Sequence, residues 1–245
     1  AFVTGGRRRI GRGIALALAE AGCDVGINDL ARDEDGEETL RLIGEKGREA
    51  DFFEGDISDS AQVKGMFKAY LERFGRIDIL ANNPYGGKGQ AFLELTEENW
   101  DANVDVGLKG FYLCSQQAAC AMVEQGEGGS IVSTSSVHAR QAWKTDTAYG
   151  VAKAGVIRLT ESMAVDLGEY GIRCNAVLPG HMNTNHVFGT EPPAIGSMGK
   201  NASIPLGRPG TPEDIGRAVA FLCSPAAGCI TGVSLPVEGG MLVVG

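Results

Sequence analysis

Short runs of β-branched and other apolar residues alternate along the chain with longer segments in which apolar residues recur every three or four positions. Runs of the first kind predict buried strands, and segments of the second kind predict amphipathic helices. We predict strands at residues 1–4, 24–28, 50–54, 77–81, 130–134, 173–178 and 233–237. We predict helices at residues 10–21, 34–46, 60–74, 97–124, 147–169 and 213–223.

This alternation predicts an α/β fold, because parallel strands need crossover connections and helices supply them. Right-handed crossovers place helices on both faces, which gives a doubly wound parallel sheet of the Rossmann type. No linker or shift in composition divides the chain, so we expect residues 1–245 to form a single domain. One long irregular stretch, residues 180–202, is rich in Gly, Pro and Asn and is predicted to be a lid over the substrate.

Composition narrows the function further. The net charge of −9 argues against a nucleic-acid partner, which would require a basic face. No apolar run reaches the ~18 residues of a membrane span. The six cysteines show no C-x-x-C spacing, so we expect no metal site. Reduced thiols, together with the lack of a signal peptide, predict a cytoplasmic protein that acts on a small molecule.

The first strand runs into a glycine-rich turn, Thr4-Gly5-Gly6-Arg7-Arg8-Arg9-Ile10-Gly11, and then into an alanine-rich helix. Glycines let the backbone approach a pyrophosphate, and the helix N-terminus supplies N–H donors. Asp29 ends the second strand, where a carboxylate accepts hydrogen bonds from an adenosine ribose and repels a 2′-phosphate. Arg8 and Arg9 oppose this preference, since guanidinium groups can hold that phosphate. We weigh Asp29 more heavily and expect NAD to be favoured over NADP.

Tyr149 and Lys153 lie four residues apart, hence on one face of a helix. A nearby ammonium favours the phenolate, so we expect a lowered pKa for the Tyr149 phenol and a role in proton transfer. Ser136 follows the strand at residues 130–134, where its hydroxyl can orient a substrate oxygen toward that phenol.

With these motifs together, the sequence resembles the short-chain dehydrogenase/reductase family over nearly its whole length, and in particular its bacterial 3-oxoacyl reductases and glucose dehydrogenases. Gly-Asp-Ile at residues 55–57, Asn82-Asn83, Pro179-Gly180 with Thr184, and the tail from Gly207-Arg208 to Glu238-Gly239-Gly240 all match family motifs. The resemblance implies Ser136, Tyr149 and Lys153 as catalytic residues. The implied cofactor-binding residues are Gly5, Arg8, Arg9, Ile10, Gly11, Asp29, Asp56, Ile57, Asn82, Tyr149, Lys153, Pro179, Gly180 and Thr184.

The family resemblance also implies a reaction and an assembly. Tyr149 would take the proton of a secondary alcohol while hydride leaves the same carbon for the nicotinamide, and Ser136 would polarise the ketone in reverse. Lys153 would lower the phenol pKa and hold the nicotinamide ribose. Family members usually form homotetramers through the helices predicted here at residues 97–124 and 147–169, so we expect a homotetramer, with a dimer as the alternative. Val156, Leu159 and Met163 on the second helix exceed what one face toward the sheet needs, which supports that expectation.

Three positions depart from the family pattern. Arg9 replaces the second glycine of the turn, and Pro84-Tyr85 replaces Ala-Gly after Asn82-Asn83. Gly107 stands where the family has a catalytic asparagine that helps hold a water between the lysine and solvent. Asn103, one helical turn earlier, or the backbone carbonyl at residue 107, are the candidates for that role.

These departures leave alternatives open. A catalytically impaired member that binds a dinucleotide as a sensor or scaffold is one, and a dehydratase, epimerase or lyase on the same fold is another. For the enzyme, residues flanking the catalytic set indicate a small polar substrate such as a sugar, polyol, hydroxy acid or 3-oxoacyl group. We name His138, Trp143 and His181 as candidate substrate contacts, with Arg140 and Asn183 nearby.

Overall fold

The computed structural model describes residues 1–198 and 203–244 of the chain. Seven parallel strands form one sheet in the order β3-β2-β1-β4-β5-β6-β7. The strands are β1 (Phe2–Thr4), β2 (Val25–Asp29), β3 (Ala50–Glu54), β4 (Ile79–Asn82), β5 (Gly129–Thr134), β6 (Ile172–Pro179) and β7 (Ser234–Val237). The helices are α1 (Arg9–Glu20), α2 (Glu34–Glu45), α3 (Ser60–Phe74), α4 (Glu97–Val104), α5 (Gly110–Gln125), α6 (Thr147–Leu167) and α7 (Pro212–Cys223).

The predicted doubly wound α/β fold is confirmed. From β1 the chain builds outward to β3, then returns to β4 on the other side of β1 and builds outward to β7. The strand order therefore reverses between β1 and β4. A crevice opens there at the carboxyl ends of the strands, and it is the usual ligand site of such sheets.

The helix predicted at residues 97–124 is interrupted. A π-helical turn, Asp105–Lys109, separates α4 from α5, and Gly107 lies at its centre. Two glycines within four residues weaken the α-helical register, because glycine is a poor helix former. Gly110 packs closely against the Ile57 side chain, since a Cβ at residue 110 would lie 2.7 Å from Ile57 Cδ1.

Local sequence fixes where other helices begin and end. α3 starts at Asp59, whose carboxylate accepts from the N–H groups of Ala61 and Gln62, and ends at Gly75 in the left-handed region with φ 76°. α7 starts with a reciprocal capping box between Thr211 and Asp214, and Pro212 follows the cap.

Apolar side chains form one cluster on each face of the sheet. On one face, Phe2 stacks on Tyr70 with ring centroids 4.6 Å apart. Val156 is fully buried in this cluster, and Leu159 and Met163 pack against it. The prediction that these three side chains form a second, outward apolar face of α6 is therefore wrong. They face the sheet, and the large apolar side chains exposed on α6 are Val151 and Val165.

On the other face, α1 and α7 approach each other more closely than side chains normally allow. A Cβ at Gly13 would lie 2.4 Å from the Pro212 carbonyl oxygen, and one at Gly216 would lie 2.3 Å from the Gly13 carbonyl oxygen. Glycine at both positions lets the two backbones touch. This contact joins α7 to the helix that follows the glycine-rich turn.

The predicted lid is irregular through residue 198, and its last residues, 199–202, lie outside the described residues. Its start is anchored by a parallel bridge between Met182 and Gly210. Farther along, the Gly189 N–H donates to the Glu213 carboxylate at 3.0 Å, and the Gly196 N–H donates to the Leu206 carbonyl oxygen at 3.2 Å. The segment therefore lies against the residues around the start of α7.

Across residues 1–198 and 203–244, we find no helix long and apolar enough to cross a membrane. Within the same residues, His, Cys, Asp and Glu side chains form no group of three that could hold a metal ion. All six cysteines are free thiols.

Candidate active site

The end of β5 and the first turns of α6 bring the three predicted catalytic residues together. Ser136 follows β5 in extended backbone geometry, and its hydroxyl accepts from the His138 N–H at 3.2 Å. Tyr149 and Lys153 lie one turn apart on α6, and the Lys153 ammonium nitrogen is 5.8 Å from the centroid of the phenol ring. All three line one cleft, so the structure assembles a hydroxyl, a phenol and an amine around a common space.

Lys153 is held rigidly. Its side chain is only 1% exposed, and its Nζ donates to the Thr134 carbonyl oxygen at 2.8 Å. The ammonium also lies 4.6 Å from the ring centroid of Phe111. The Ser135 hydroxyl donates to the Lys153 carbonyl oxygen at 2.8 Å, which ties the helix to the end of β5. Burial lowers the pKa of Lys153 to about 7, because the charged form is poorly solvated there.

The Tyr149 phenol has the opposite environment from the one predicted. Burial raises its pKa, and a hydrogen bond with the Ser136 hydroxyl only partly offsets that effect. The prediction of a lowered phenol pKa is therefore wrong for this structure, and Lys153 is not among the groups that shift that pKa. Four-residue spacing places the two groups on one helix face, but it does not reveal how strongly burial disfavours the phenolate.

The glycine-rich turn forms the opposite wall of the cleft. Gly5 has φ 61°, and a Cβ there would meet Pro84 at 3.0 Å. Gly11 lies behind the turn, where a Cβ would lie 1.8 Å from the Gly5 carbonyl oxygen. Both glycines therefore allow the close turn needed for a pyrophosphate to approach the start of α1. Arg9 adopts the left-handed conformation of the glycine it replaces, with φ 52°.

The cleft between these walls has a volume of about 500 Å³. Ten of the fourteen predicted cofactor residues line it, and they are Gly5, Arg8, Arg9, Ile10, Asp29, Tyr149, Lys153, Pro179, Gly180 and Thr184. The tight glycine turn, the helix start and the carboxylate at the end of β2 fit a dinucleotide that lies across the crevice. When bound there, a nicotinamide dinucleotide supplies the hydride donor or acceptor.

The other four predicted cofactor residues lie outside the cleft wall. Gly11 supports the turn from behind, and Ile57 is buried against Gly110. The Asp56 carboxylate accepts from the backbone N–H and the hydroxyl of Ser58, both at 2.8 Å. Asn82 is fully buried, and its amide donates to the Ser115 and Ser133 hydroxyls, so it ties β4 to its neighbours.

Sequence reasoning missed Arg7 as a member of this site. Its Nε lies 3.6 Å from the Asp29 carboxylate, and its guanidinium forms a second ion pair with Asp33. Arg8 lies 3.6 Å from Asp35, and Arg9 is exposed. Asp29 therefore has a cationic partner inside the turn. The run of three arginines was the available signal, but which member reaches Asp29 depends on the turn geometry.

The positions that depart from the family pattern lie around the same cleft. Pro84 and Tyr85 line it, and the Tyr85 ring meets the Tyr149 ring edge to face at 6.0 Å. The buried Asn103 amide donates to the Asn99 carbonyl oxygen at 2.8 Å. That bond gives Asn103 a structural role on α4. The π-helical turn at Gly107 leaves the backbone carbonyl there as the other candidate for the missing asparagine.

Among the predicted substrate contacts, His138 and Trp143 are brought together beside the phenol. The His138 ring lies 5.4 Å from the Tyr149 ring and 4.3 Å from the Trp143 ring, between centroids. His181 is exposed just beyond β6, and its carbonyl oxygen accepts from the Gly210 N–H at 2.9 Å. Only the first two therefore share a cluster with the catalytic phenol.

Comparison with known proteins agrees with this geometry. The sequence model of the family described as Enoyl-(Acyl carrier protein) reductase matches residues 5–242. The chain is 37% identical to an L-rhamnose 1-dehydrogenase (NAD(P)(+)) of Sphingomonas sp. (strain SKA58), over 99% of this chain and 95% of that protein. It is also 37% identical to a 3-oxoacyl-(acyl-carrier-protein) reductase of Staphylococcus aureus (strain Mu50 / ATCC 700699), over 98% of this chain and 97% of that protein.

Solved structures give the same result. The crystal structure of an acetoin dehydrogenase from Salmonella typhimurium superposes with a TM-score of 0.90 at 34% identity, covering 100% of this chain and 96% of that one. The fold and the cleft define a nicotinamide-dependent oxidoreductase that acts on alcohol and ketone groups. The chain belongs to the short-chain dehydrogenase/reductase family. The comparisons give no support to the alternative of a catalytically impaired sensor or scaffold.

Proposed function

We propose that this enzyme interconverts a secondary alcohol and a ketone on a small polar substrate, namely a sugar, polyol, hydroxy acid or 3-oxoacyl compound, with NAD favoured over NADP. The observation that carries the proposal is the convergence of Ser136, Tyr149 and Lys153 on the cleft that Asp29 and the glycine-rich turn also line. The similar proteins described above include dehydrogenases of rhamnose and acetoin and a 3-oxoacyl reductase, which supports this range of substrates.

In the proposed mechanism, Tyr149 is the general base in alcohol oxidation and the general acid in ketone reduction. Ser136 hydrogen-bonds the substrate oxygen and the phenol, so it orients the proton transfer and favours the phenolate. Lys153 is placed beside the phenol and is positioned by the Thr134 carbonyl. Its lowered pKa of about 7 lets it exchange protons near neutral pH.

The proton must then reach solvent. We propose that the backbone carbonyl at Gly107 replaces the missing asparagine side chain in holding a water near Lys153. The π-helical turn supports this role, because a π turn disturbs the regular N–H to carbonyl pairing of the helix. The hydrogen bond from Asn103 to Asn99 makes Asn103 the weaker candidate.

For the cofactor, the Asp29 carboxylate at the end of β2 supports NAD, since it repels a 2′-phosphate at the ribose position. Arg7 partly neutralises that charge from 3.6 Å, which limits the preference. We also propose a homotetramer, as in the family pattern. Exposed Tyr112 and Val123 on α5 and Val151 and Val165 on α6 support an interface along these helices. The six free thiols support a reducing, cytoplasmic location.

The test is a screen of alcohols and ketones that follows nicotinamide absorbance with both cofactors. The panel holds aldoses, polyols, 2- and 3-hydroxy acids, acetoin and a 3-oxoacyl thioester. We expect turnover of at least one class and a higher kcat/KM with NAD. Binding of NADH without turnover of any compound would contradict the proposal. Light scattering at micromolar concentration tests the assembly, and a monomer would contradict the tetramer.

A further inference from the structure

We infer that His138, which is held by Asp146 and flanked by Trp143, accepts a hydrogen bond from a hydroxyl group of a six-membered ring. This bond would select a cyclic sugar or polyol as substrate. This inference rests on the proposed alcohol dehydrogenase function and narrows its substrate class. It assigns a positioning role to Asp146, which the sequence motifs do not single out.

Asp146 occupies the N-cap position of α6 but does not cap it. An aspartate there normally accepts from a backbone N–H of the first turn, which stabilises a helix by about 1 kcal/mol. The Asp146 side chain makes no such bond. Instead one carboxylate oxygen accepts from the Trp143 N–H at 3.0 Å and lies 2.9 Å from the His138 Nδ1. The helix gives up its cap, and the carboxylate holds the histidine and the indole residue in place.

This arrangement fixes how the imidazole can be used. A carboxylate only accepts, so the hydrogen of the neutral ring lies on Nδ1, and Nε2 is left as the acceptor. Among the residues that the structure describes, Nε2 of His138 has no hydrogen-bond partner, and the side chain is 32% exposed. A substrate hydroxyl can therefore donate to it. The negative Asp146 behind the ring disfavours a carboxylate or phosphate at the same place.

The backbone that carries Asp146 is itself constrained. Thr145, the preceding residue, has φ 66°, a conformation that is strained for a non-glycine residue. Its carbonyl oxygen accepts from the Gln90 N–H at 2.8 Å, which joins this loop to the one that follows β4. Both loops border the catalytic phenol, because Tyr85 on one and His138 on the other contact the Tyr149 ring.

The surrounding aromatic groups fit a ring-shaped substrate. Trp143 is half-buried and Tyr85 is 62% exposed. The Trp143 ring packs against the His138 ring, and the Tyr85 ring packs against the Tyr149 ring. Flat aromatic faces pack on the C–H surface of a sugar ring, while hydroxyls at its rim donate to nitrogen or oxygen acceptors. The reacting hydroxyl then lies at Tyr149, and a neighbouring hydroxyl lies at His138.

The test compares two kinds of six-membered-ring substrate, with several hydroxyls or with one, in several variants. D-glucose, D-galactose and L-rhamnose serve as pyranose probes, and cyclohexanol serves as a six-membered ring with a single hydroxyl. His138→Phe keeps an aromatic ring but removes both nitrogens. We expect it to lower kcat/KM for the best pyranose at least tenfold, mainly through KM, and to change kcat/KM for cyclohexanol less than twofold. Tyr170→Phe, in the short turn after α6 and outside the cleft, is the control and should change neither value.

Variants of Asp146 distinguish a role in positioning His138 from a role in the stability of the loop alone. Asp146→Ala should lower kcat/KM for the pyranose by several fold, while Asp146→Asn, whose single oxygen can still accept both bonds, should restore most of it. Equal losses on pyranose and cyclohexanol in His138→Phe would show a structural role and overturn the inference. Turnover of cyclohexanol or acetoin but of no pyranose would also overturn it, with the dehydrogenase function intact. Binding of NADH with no turnover of any substrate would overturn both proposals.

Discussion

The two ends of the cleft differ in the burial of their side chains and in the interactions that hold them. At the catalytic end, Lys153 and Ser136 are buried and held by hydrogen bonds with backbone groups, since the Lys153 Nζ donates to the Thr134 carbonyl oxygen and the Ser136 hydroxyl accepts from the His138 N–H. At the adenosine end, Arg7, Arg8 and Asp29 are partly exposed and interact mainly as ion pairs. Buried groups are shifted strongly in pKa, whereas exposed pairs contribute little energy and are screened by salt. The proposed catalytic side chains are therefore held in place by the fold. The side chains proposed to select the cofactor are partly exposed, so they can be replaced with little loss of stability.

Tyr149→Phe should have the largest effect. It removes the phenolic proton donor and leaves a ring of the same size in the same pocket. We expect kcat to fall by about 10³-fold or more, because no other group is placed to exchange the substrate proton. Titration of NADH fluorescence should show nearly unchanged cofactor affinity. Wild-type activity in this variant would rule out the mechanism.

The pH dependence follows next. Because burial raises the phenol pKa, the phenolate forms only toward alkaline pH, so kcat/KM for alcohol oxidation should rise with pH. Ketone reduction uses the protonated phenol, so its kcat/KM should be constant below the phenol pKa and fall above it. The Ser136 hydrogen bond lowers this pKa, so Ser136→Ala should move the midpoint of the profile to higher pH. A midpoint that moves to lower pH would contradict the assignment.

Asp29→Ser tests the adenosine end. Removing the carboxylate abolishes the repulsion of a 2′-phosphate and frees Arg7 from its ion pair. We expect the NADP-to-NAD ratio of kcat/KM to rise about tenfold, equivalent to about 1.4 kcal/mol, with little change in the pH profile. A wild-type enzyme that is already at least about tenfold better with NADP would contradict the assignment of NAD.

Gly107→Asn should have a smaller effect. A Cβ at residue 107 would lie 3.6 Å from the Ala152 Cβ, an ordinary contact, so the first atom of the side chain fits without displacing α6. If proton exchange limits turnover, kcat should rise a few fold, the solvent isotope effect should shrink, and cofactor affinity should stay the same. Asn103→Ala should then cost little kcat. A sharp loss in that variant would instead assign the relay to Asn103.

Arg9→Gly should have the smallest effect on catalysis and a measurable effect on stability. Arg9 has φ 52°, which glycine adopts without strain. Relief of that strain opposes the extra entropy of an unfolded glycine, so we expect a net stabilisation of at most about 1 kcal/mol. Calorimetry should then show a rise in Tm of about 2–4 °C. NADP binding should weaken if Arg9 contacts the 2′-phosphate.

The sequence predicted most of the fold because strand and helix periodicities are local properties. It placed all seven strands within a few residues of their observed bounds. It failed where the result depends on three-dimensional neighbours. The π-helical turn at Gly107 and the ion pair between Arg7 and Asp29 belong to this group. So does the inward packing of Val156, since a sequence pattern does not show which of two apolar faces meets the sheet.

The same distinction applies to the catalytic residues. Their proposed roles rest on residue type and spacing, which can be read from the chain, whereas their electrostatics cannot. The raised pKa of Tyr149 results from the burial of its phenol by the fold, and spacing along a helix does not show how deeply a side chain is buried. The diversion of Asp146 from its helix cap to His138 was equally hidden, because an aspartate before a helix normally predicts a cap.

The anchoring of the segment that is predicted to be a lid has a consequence for evolution and engineering. Backbone bonds hold both ends of residues 182–196, through the Met182–Gly210 bridge and the bond from the Gly196 N–H to the Leu206 carbonyl oxygen, so these bonds do not depend on which side chains lie between. The intervening residues can therefore be exchanged as a cassette while the sheet and the catalytic helix stay as they are. Grafting this cassette from a relative with another specificity is a direct route to new substrates on the same chemistry.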